Sequence, residues 1–289
     1  MLKPFSQVDV FTAQAFSGNP LAVIHAADGL DTAQMAAIAR WTNLSETTFL
    51  LKPQDARADY RVRIFTPGGE LPFAGHPTLG SAYAWVHAGG SAKQPHEIIQ
   101  QCEVGLIRIR RDEAYWSFAA PPLIRTGALD EAHLATLLAA LDLQPHEVIA
   151  HQWVDNGPGW CVLWLDSATR VLSRQADHPD LKQFKLGLIG AYPKEATVGA
   201  DFEVRAFVGG LGVPEDPVTG SLNAGIACWL LRDKHVVGSY VVSQGTCLQR
   251  QGRVLISSDA DTIWVGGQVT PVIEGRIQIP AIADIPNHN

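Results

Sequence analysis

Two short stretches of this chain, Pro77-Thr78-Leu79-Gly80-Ser81-Ala82-Tyr83-Ala84 and Pro217-Val218-Thr219-Gly220-Ser221-Leu222-Asn223-Ala224, share Pro, Gly, Ser and Ala at matching places, 140 residues apart. Identical residues in the same order and spacing, in a similar hydrophobic context, indicate an internal duplication, although sequences rich in Gly and Ala also match by chance. The duplication predicts two related domains, each with a similar strand, turn and helix.

The residues upstream of both stretches repeat as well. Val62-Arg63-x-Phe65 and Gly68 match Val204-Arg205-x-Phe207 and Gly210 at an offset of 142. The change of offset predicts a two-residue deletion between the blocks. Each copy turns through Pro and Gly into an apolar helix, where free backbone N–H groups can bind an anion.

The two helices are predicted at about 77–87 and 217–232, and the second is apolar nearly all round, so it must be buried on every side. Short apolar runs bounded by turns predict strands around each helix. We therefore predict an α+β fold with two pseudo-symmetric domains, each a curled, barrel-like and mostly antiparallel sheet around a central helix. The strands expected around the helices are 59–66, 96–102, 105–111, 114–119, 160–166, 186–192, 202–208, 239–243, 254–257 and 262–267.

The domain boundary is predicted at Pro121-Pro122, because tandem Pro cannot continue a strand ladder. This division gives domains 1–120 and 121–289. Two arrangements stay open for the final strand, which either remains in the second domain or crosses back to the first.

Composition excludes several classes of protein. The chain has 289 residues, 46 % of them hydrophobic, which suits two domains with separate cores. A net charge of −7 with 22 Lys plus Arg leaves no basic face for nucleic acid. No signal-peptide core and no apolar run near the ~20 residues of a membrane span are found, so we expect a cytoplasmic protein without a membrane partner.

Cysteine and histidine spacing argues against a metal site. The four cysteines have no CxxC pair, and the ten histidines form no HExxH or His-x-His pattern. We predict no metal site and no disulfide framework. The cysteines are expected to be reduced and mostly buried.

Three ionisable residues are the candidate catalytic groups. Glu46 stands between a helix and a strand, where a carboxylate can act as acid or base or can simply cap a loop in solvent. His76 stands at a helix start that favours a neutral imidazole, and its alternative role is to cap the helix and pack. Asp216 occupies the matching place in the second copy, or serves only as an N-cap.

Smaller groups are candidates for substrate binding. The backbone at Gly75 and at Gly220, together with the Ser221 hydroxyl, can hold a carboxylate. Asn19 can add a donor, although Gly-Asn-Pro is also an ordinary turn sequence. Glu70 is either an internal hydrogen-bond hub or a minor site residue.

The motifs together resemble the PhzF-like family, which is named for a phenazine-biosynthesis isomerase and is related in fold to diaminopimelate epimerase. The resemblance covers about residues 5–270, and the last motif is highly specific. The motifs are Ser17-Gly18-Asn19-Pro20, Asn43-Leu44-Ser45-Glu46-Thr47-Thr48-Phe49, Phe65-Thr66-Pro67, Glu70-Leu71-Pro72-Phe73-Ala74-Gly75-His76-Pro77 and Gly212-Val213-Pro214-Glu215-Asp216-Pro217-Val218-Thr219-Gly220-Ser221.

The resemblance implies an active site between two similar domains, no cofactor, and a homodimer. It implies that Glu46 is the general acid/base and that His76, Asp216 and Ser221 position a small carboxylated substrate. The thiol pair of the related epimerases and racemases is absent, since Ala74-Gly75-His76 and Glu215-Asp216 stand at those places. Many family members continue Gly-Ser with Ala-His, whereas this chain has Leu222-Asn223.

Three hypotheses follow for function. The first is a cofactor-independent isomerase that moves a carbon-bound proton on a small carboxylated compound by means of Glu46. The second is a dehydratase or lyase on the same site, because removal of a proton beside a carboxylate also starts an elimination. The third is a non-catalytic small-molecule-binding protein that keeps the scaffold.

Overall fold

A computed structural model describes residues 1–175, 177–209, 214–259 and 262–280. Gly210 of the duplicated strand and Gly212-Val213 of the family motif lie outside the described residues. The chain divides into two units, each described here by itself. Within the described residues, unit 1 consists of 1–118 together with 268–280, and unit 2 consists of 119–267.

Unit 1 is built on a closed eight-stranded barrel. Neighbouring strands follow the order β1-β2-β3-β4-β6-β7-β8-β16, and β16 pairs antiparallel with β1 to close the ring. The β2–β3 and β4–β6 pairs are parallel, and β5 pairs with β4. The strands are β1 (Leu2–Val10), β2 (Asn19–Ile24), β3 (Glu46–Leu51), β4 (Tyr60–Thr66), β5 (Gly69–Leu71), β6 (Glu97–Cys102), β7 (Gly105–Asp112), β8 (Tyr115–Ala119) and β16 (Thr262–Gln278).

Two helices belong to unit 1, α1 (Thr32–Thr42) and α2 (Gly75–His87). Asp31 caps the start of α1 in a capping box with Gln34, and Asn43 ends the helix in the left-handed conformation. Helix α2 is buried along most of its length and packs on β1, β2, β3 and β6. It is therefore the helix that the sheet surrounds.

Unit 2 repeats this plan around another buried helix, with strand order β16-β15-β14-β12-β11-β10-β9. Sequence patterns predicted the strands β10, β11, β12, β14 and β15 and the helix α5, but not β9, β13 or α4. The elements are β9 (Val148–Trp153), β10 (Trp160–Leu165), β11 (Lys185–Ala191), β12 (Phe202–Phe207), β13 (Glu215–Asp216), β14 (Tyr240–Gln244), β15 (Gly252–Asp259), α3 (Glu131–Ala140), α4 (Ala168–Ser173) and α5 (Gly220–Arg232).

The predicted α+β class is confirmed, with a curled and mostly antiparallel sheet around a central helix in each half. A separate apolar core fills unit 2 between α3 and the sheet, including Leu137, Leu163, Leu188 and Phe207. Burial of such side chains contributes about 1.5–3 kcal/mol each.

The 140-residue offset between the two helices is wrong, because the helices themselves start 145 residues apart. Helix α2 begins at Gly75 rather than Pro77, and α5 begins at Gly220 rather than Pro217. Pro77 lies inside the first turn of α2, where proline is tolerated. The counterpart of His76 is therefore Ser221, and the predicted equivalence of His76 with Asp216 is wrong.

Close packing of two glycines supports the same alignment. A Cβ added to Gly80 would lie 3.1 Å from the Val8 side chain, and one added to Gly225 would lie 2.3 Å from the Val154 carbonyl oxygen. Val8 lies opposite Leu21, and Val154 donates to the Trp160 carbonyl, so both valines neighbour the second strand of their unit. Glycine allows the helix to approach the sheet at this point in both units.

The strands of the duplication are 142 residues apart and the helices are 145 apart, because the connection between β12 and β13 is longer than the connection between β4 and β5. Phe65 pairs with Glu70 across β4 and β5, and Phe207 pairs with Glu215 across β12 and β13. The second connection is three residues longer than the first, so the predicted two-residue deletion is wrong. Chance identities in Gly- and Ala-rich helices obscured this insertion.

Candidate active site

Glu46 and His76 meet in unit 1. Glu46 is the first residue of β3, and His76 lies in the first turn of α2. The Glu46 Oε2 atom is 3.4 Å from His76 Nε2, and their side chains are only 16 % and 5 % exposed. The alternative of a solvated loop-capping glutamate therefore does not hold. His76 also does not cap α2, because the N-cap residue is Ala74.

The other ring nitrogen of His76 faces Asn19. The Nδ1 atom is 3.3 Å from Asn19 Nδ2, and the Asn19 side chain is fully buried at the start of β2. A contact on each ring nitrogen fixes the plane of the imidazole. The structure thus brings three predicted site residues, Glu46, His76 and Asn19, into one cluster.

The turn that carries Asn19 is held by Asp9, a buried residue of β1. Its Oδ2 atom accepts hydrogen bonds from Ser17 N at 2.8 Å and from Gly18 N at 3.1 Å. A Cβ on Gly18 would lie 2.2 Å from the Val10 carbonyl oxygen, so only glycine fits. This Ser-Gly-Asn segment is therefore more than an ordinary turn, and sequence analysis missed Asp9.

His76 is neutral at physiological pH. Burial lowers the pKa of His76 to about 3, and a hydrogen bond that His76 donates to the Pro20 carbonyl opposes this shift. Burial has this effect because it disfavours the charged imidazolium. The neighbour of Glu46 is consequently an uncharged ring that can exchange a hydrogen bond with it.

The start of α2 has no side-chain cap. The N-cap residue Ala74 has extended backbone and offers no polar side chain, and the first helical hydrogen bond runs from Thr78 N to the Ala74 carbonyl. The N–H groups of Gly75 and His76 precede that bond. Such a turn carries partial positive charge and attracts anions.

Glu70 lies elsewhere in unit 1, on β5. Arg63 donates to its carboxylate through Nε at 2.7 Å and Nη2 at 2.6 Å, and Arg63 also donates to Thr32 at the start of α1. Arg63 thus links the β4–β5 hairpin to α1, whereas Glu70 is exposed and contacts Arg63, so the predicted internal hydrogen-bond hub does not describe it. Its role in substrate binding stays a prediction.

Asp216 in unit 2 lies beside the start of α5. Its Oδ2 atom is 2.5 Å from Thr219 Oγ1, and Thr219 is the N-cap residue of α5. Asp216 is therefore not the N-cap itself. Gln244, from the end of β14, donates to Thr219 Oγ1 and accepts from Thr219 N. Sequence analysis missed Gln244, which is 28 residues from Asp216 along the chain.

Ser221 is fixed by two residues that sequence analysis also missed. The indole Nε1 of Trp160 donates to Ser221 Oγ at 3.0 Å, and Asn156 Nδ2 donates to the Ser221 carbonyl at 2.8 Å. Gly220 is buried in the same turn. The Asn223 amide donates to the Thr219 carbonyl and to Gln244. No local sequence signal connects these residues.

The remaining predictions concern metal ligands, cysteines and membrane spans within residues 1–175, 177–209, 214–259 and 262–280. No group of three His, Cys, Asp or Glu there could hold a metal ion. The four cysteines are free; Cys102 and Cys161 are buried, whereas Cys247 is exposed. Within the same described ranges, none of the helices is both long enough and apolar enough to cross a bilayer.

Comparison with solved structures shows the fold. A crystal structure of a phenazine biosynthesis protein of the PhzF family from Enterococcus faecalis superimposes with a TM-score of 0.79 at 24 % identity, covering 96 % of this chain and 100 % of that chain. This likeness shows the fold, an epimerase-like α+β architecture.

The family follows from the sequence comparison. The model of the family described as phenazine biosynthesis-like protein matches residues 8–275, so the chain belongs to this family. The protein named antisense-enhancing sequence 1 from Schizosaccharomyces pombe is 36 % identical, covering 94 % of this chain and 97 % of the relative. The trans-2,3-dihydro-3-hydroxyanthranilate isomerase of Pseudomonas fluorescens is 35 % identical, covering 78 % of each chain. The protein is an isomerase of this family.

Proposed function

We propose that this isomerase works without a cofactor and moves a carbon-bound proton on a small carboxylated substrate, with Glu46 as the general acid/base. The observation that carries the proposal is the pairing of the Glu46 carboxylate, 3.4 Å away, with a buried and neutral His76. General acid–base catalysis needs a proton-transfer group of controlled orientation in a dry environment.

The proposed reaction balances within the substrate and Glu46. The ionised Glu46 takes a proton from one carbon, and the electron pair left behind spreads into the conjugated carboxylate of the substrate. The protonated Glu46 then returns the proton to a second carbon. The start and the end of this cycle have the same enzyme state, so no oxidant, reductant or added group is needed.

A neutral His76 supports this cycle better than a charged one. A fixed imidazolium at 3.4 Å would favour the ionised form of Glu46 through charge attraction and would oppose its return to the acid form. The neutral ring can hold the carboxyl group through a hydrogen bond in both states. The ring orientation imposed by Asn19 keeps Nε2 directed at Glu46.

The uncapped first turn of α2 supports a carboxylated substrate. Its N–H groups at Gly75 and His76 would stabilise charge that develops on a substrate oxygen, as preorganised donors do in other enzymes. Binding roles for Gly220, Ser221 and Asn19, and a proton-steering role for Asp216, also remain proposals. The relative from Pseudomonas fluorescens makes trans-2,3-dihydro-3-hydroxyanthranilate the first compound to test.

The test is proton exchange at carbon. The protein is incubated in heavy water with this compound and with a panel of small carboxylates, and label and product are followed by NMR. Replacement of Glu46 by Gln should lower exchange and turnover by about 10²–10⁴-fold, because the amide cannot accept the proton.

Unit 2 offers a matched control. Thr47 lies opposite Phe65 and Leu186 lies opposite Phe207, so Lys185 occupies the place that Glu46 has in unit 1. We expect Lys185→Gln to retain activity within about threefold, since the proposal gives Lys185 no part in proton transfer. Equal exchange by Glu46→Gln and the native protein would exclude the proposed base. Loss of water from the substrate would identify a lyase, and binding without any exchange would favour a non-catalytic protein.

A further inference from the structure

We infer that Gln244 and Thr219 are positioning residues that hold Asp216 Oδ2 as a hydrogen-bond acceptor through a chain of hydrogen bonds with only one possible direction. The bearing of this chain on catalysis rests on the proposed function. The direction of the chain itself can be tested without a substrate.

The orientation of the Gln244 amide is set by two backbone groups. The Thr219 N–H donates to Gln244 Oε1 at 3.0 Å, and the Asp216 carbonyl accepts from Gln244 Nε2 at 3.3 Å. A backbone N–H can only donate and a carbonyl can only accept. The oxygen and nitrogen of the amide are therefore distinguished by their partners.

The orientation of the Thr219 hydroxyl follows from that amide. Gln244 Nε2 donates to Thr219 Oγ1 at 2.9 Å, so Oγ1 is an acceptor there, and the buried hydroxyl donates its own proton to Asp216 Oδ2, 2.5 Å away. A separation of this length is typical of a hydroxyl donating to an ionised carboxylate. Asp216 Oδ2 consequently accepts a proton-bearing partner and does not itself carry the proton.

Burial strengthens this chain. Gln244, Thr219 and Asn223 are all buried, and Asn223 Nδ2 donates at 2.8 Å both to the Thr219 carbonyl and to Gln244 Oε1. The orientation of Asn223 is fixed by the same argument, because a carbonyl accepts its amide hydrogen. Hydrogen bonds away from water are electrostatically stronger. If any one of these amide or hydroxyl groups were turned round, a buried donor or acceptor would lose its partner, which costs free energy.

Unit 1 lacks the chain although it has the same backbone plan. Leu71 and Ala74 occupy the places of Asp216 and Thr219 under the 145-residue alignment. Tyr60 pairs with Gln100 as Phe202 pairs with Val242, so Cys102 occupies the place of Gln244. The same backbone plan therefore forms in unit 1 without the side chains of Thr219 and Gln244. Unit 2 has these two side chains together with Asp216.

The experiment follows the Asp216 carboxyl by ¹³C NMR in the full chain, with the resonance assigned through Asp216→Asn. Thr219→Val keeps the shape and removes the hydroxyl, whereas Thr219→Ser restores it. We expect Thr219→Val to move the Asp216 titration midpoint to higher pH by about 1–2 units, because a hydrogen bond to the charged form is lost. Thr219→Ser should stay within about 0.3 units of the native midpoint.

Gln244→Glu provides a second and independent variant. A carboxylate at this position cannot donate to Thr219, so the hydroxyl turns toward it and the added negative charge also opposes ionisation of Asp216. The midpoint should again rise. A native-like midpoint in Thr219→Val, or in Gln244→Glu if the former does not fold, would overturn the inference. A lower melting temperature with an unchanged midpoint would assign these residues a structural role only. Failure to find a substrate would affect the proposed function and not this result.

Discussion

The Arg63–Glu70 pair of unit 1 is partly exposed, whereas the equivalent Arg205–Glu215 pair of unit 2 is almost completely buried. Both arginines contact the carboxylate with Nε and Nη2, and both lie over a phenylalanine ring, at 5.1 and 4.8 Å. The same Arg–Glu ion pair across a hairpin therefore occurs in an exposed environment and in a buried one.

The helix starts differ more strongly. Unit 1 places a neutral His76 beside Glu46, and unit 2 places Ser221 and Lys185 at the matching positions. In contrast, the chain of Asp216, Thr219 and Gln244 has only Leu71, Ala74 and Cys102 as counterparts. The comparison teaches that backbone geometry is shared, while each unit carries a different set of polar side chains.

The largest expected effect concerns the buried ion pair. Arg205→Met should lower the free energy of unfolding by about 3–5 kcal/mol, because Glu215 is left charged and unpaired in the interior. Arg63→Met should cost less than about 1 kcal/mol, since the exposed Glu70 can be hydrated. Urea denaturation of both variants measures the difference. Equal losses would show that burial does not distinguish the two pairs.

A smaller difference is expected between the two packed glycines. Alanine at Gly225 would meet the Val154 carbonyl oxygen at 2.3 Å, whereas alanine at Gly80 would meet the Leu21 Cδ2 atom at 2.6 Å. A side chain can rotate away but a backbone carbonyl cannot, so Gly225→Ala should be less stable than Gly80→Ala by about 1–2 kcal/mol. The gain in helix propensity is the same in both and cancels. Thermal unfolding tests the order, and a more stable Gly225→Ala variant would contradict the close approach.

The smallest effect is a pH dependence specific to unit 1. The pKa of His76 is about 3 in the folded protein and 6.5 in its ordinary state, so the unfolded chain binds the extra proton. The contribution of the neutral His76 to the free energy of unfolding is fully present above pH 6.5 and is lost as the pH falls toward 3. The free energy of unfolding should therefore decrease between pH 7 and pH 5.5 by about 1 kcal/mol less in His76→Gln than in the native protein.

That pH effect is measured by urea denaturation at both pH values. Ser221→Ala, at the counterpart of His76 in unit 2, supplies the control, because neither a serine nor an alanine side chain titrates between pH 5.5 and 7. An unaltered slope in His76→Gln would contradict the burial of a neutral imidazole.

Much of the secondary structure could be predicted from the sequence. Apolar runs located β4, β6, β7, β8 and β12 within about one residue. The family motifs also singled out Glu46, His76 and Asn19, which the structure brings into contact. Their roles in proton transfer and binding stay predictions.

Other features could not be predicted because they depend on residues far apart in the chain. Asp9 holds the Ser17-Gly18 turn, Trp160 holds Ser221, and Gln244 reaches Thr219 from another strand. The true spacing of the duplicated helices was hidden by three residues inserted between β12 and β13. Only strand pairing and glycine packing reveal that spacing.

The sequence by itself determined the α+β class, the duplication and the residue types available for chemistry, because periodicity and Pro/Gly punctuation act over a few residues. Tertiary structure alone decided which side chains meet, how deeply each is buried, and therefore which form of His76 is present. Burial and long-range hydrogen bonds arise from the pairing of distant strands, and no local pattern contains that information.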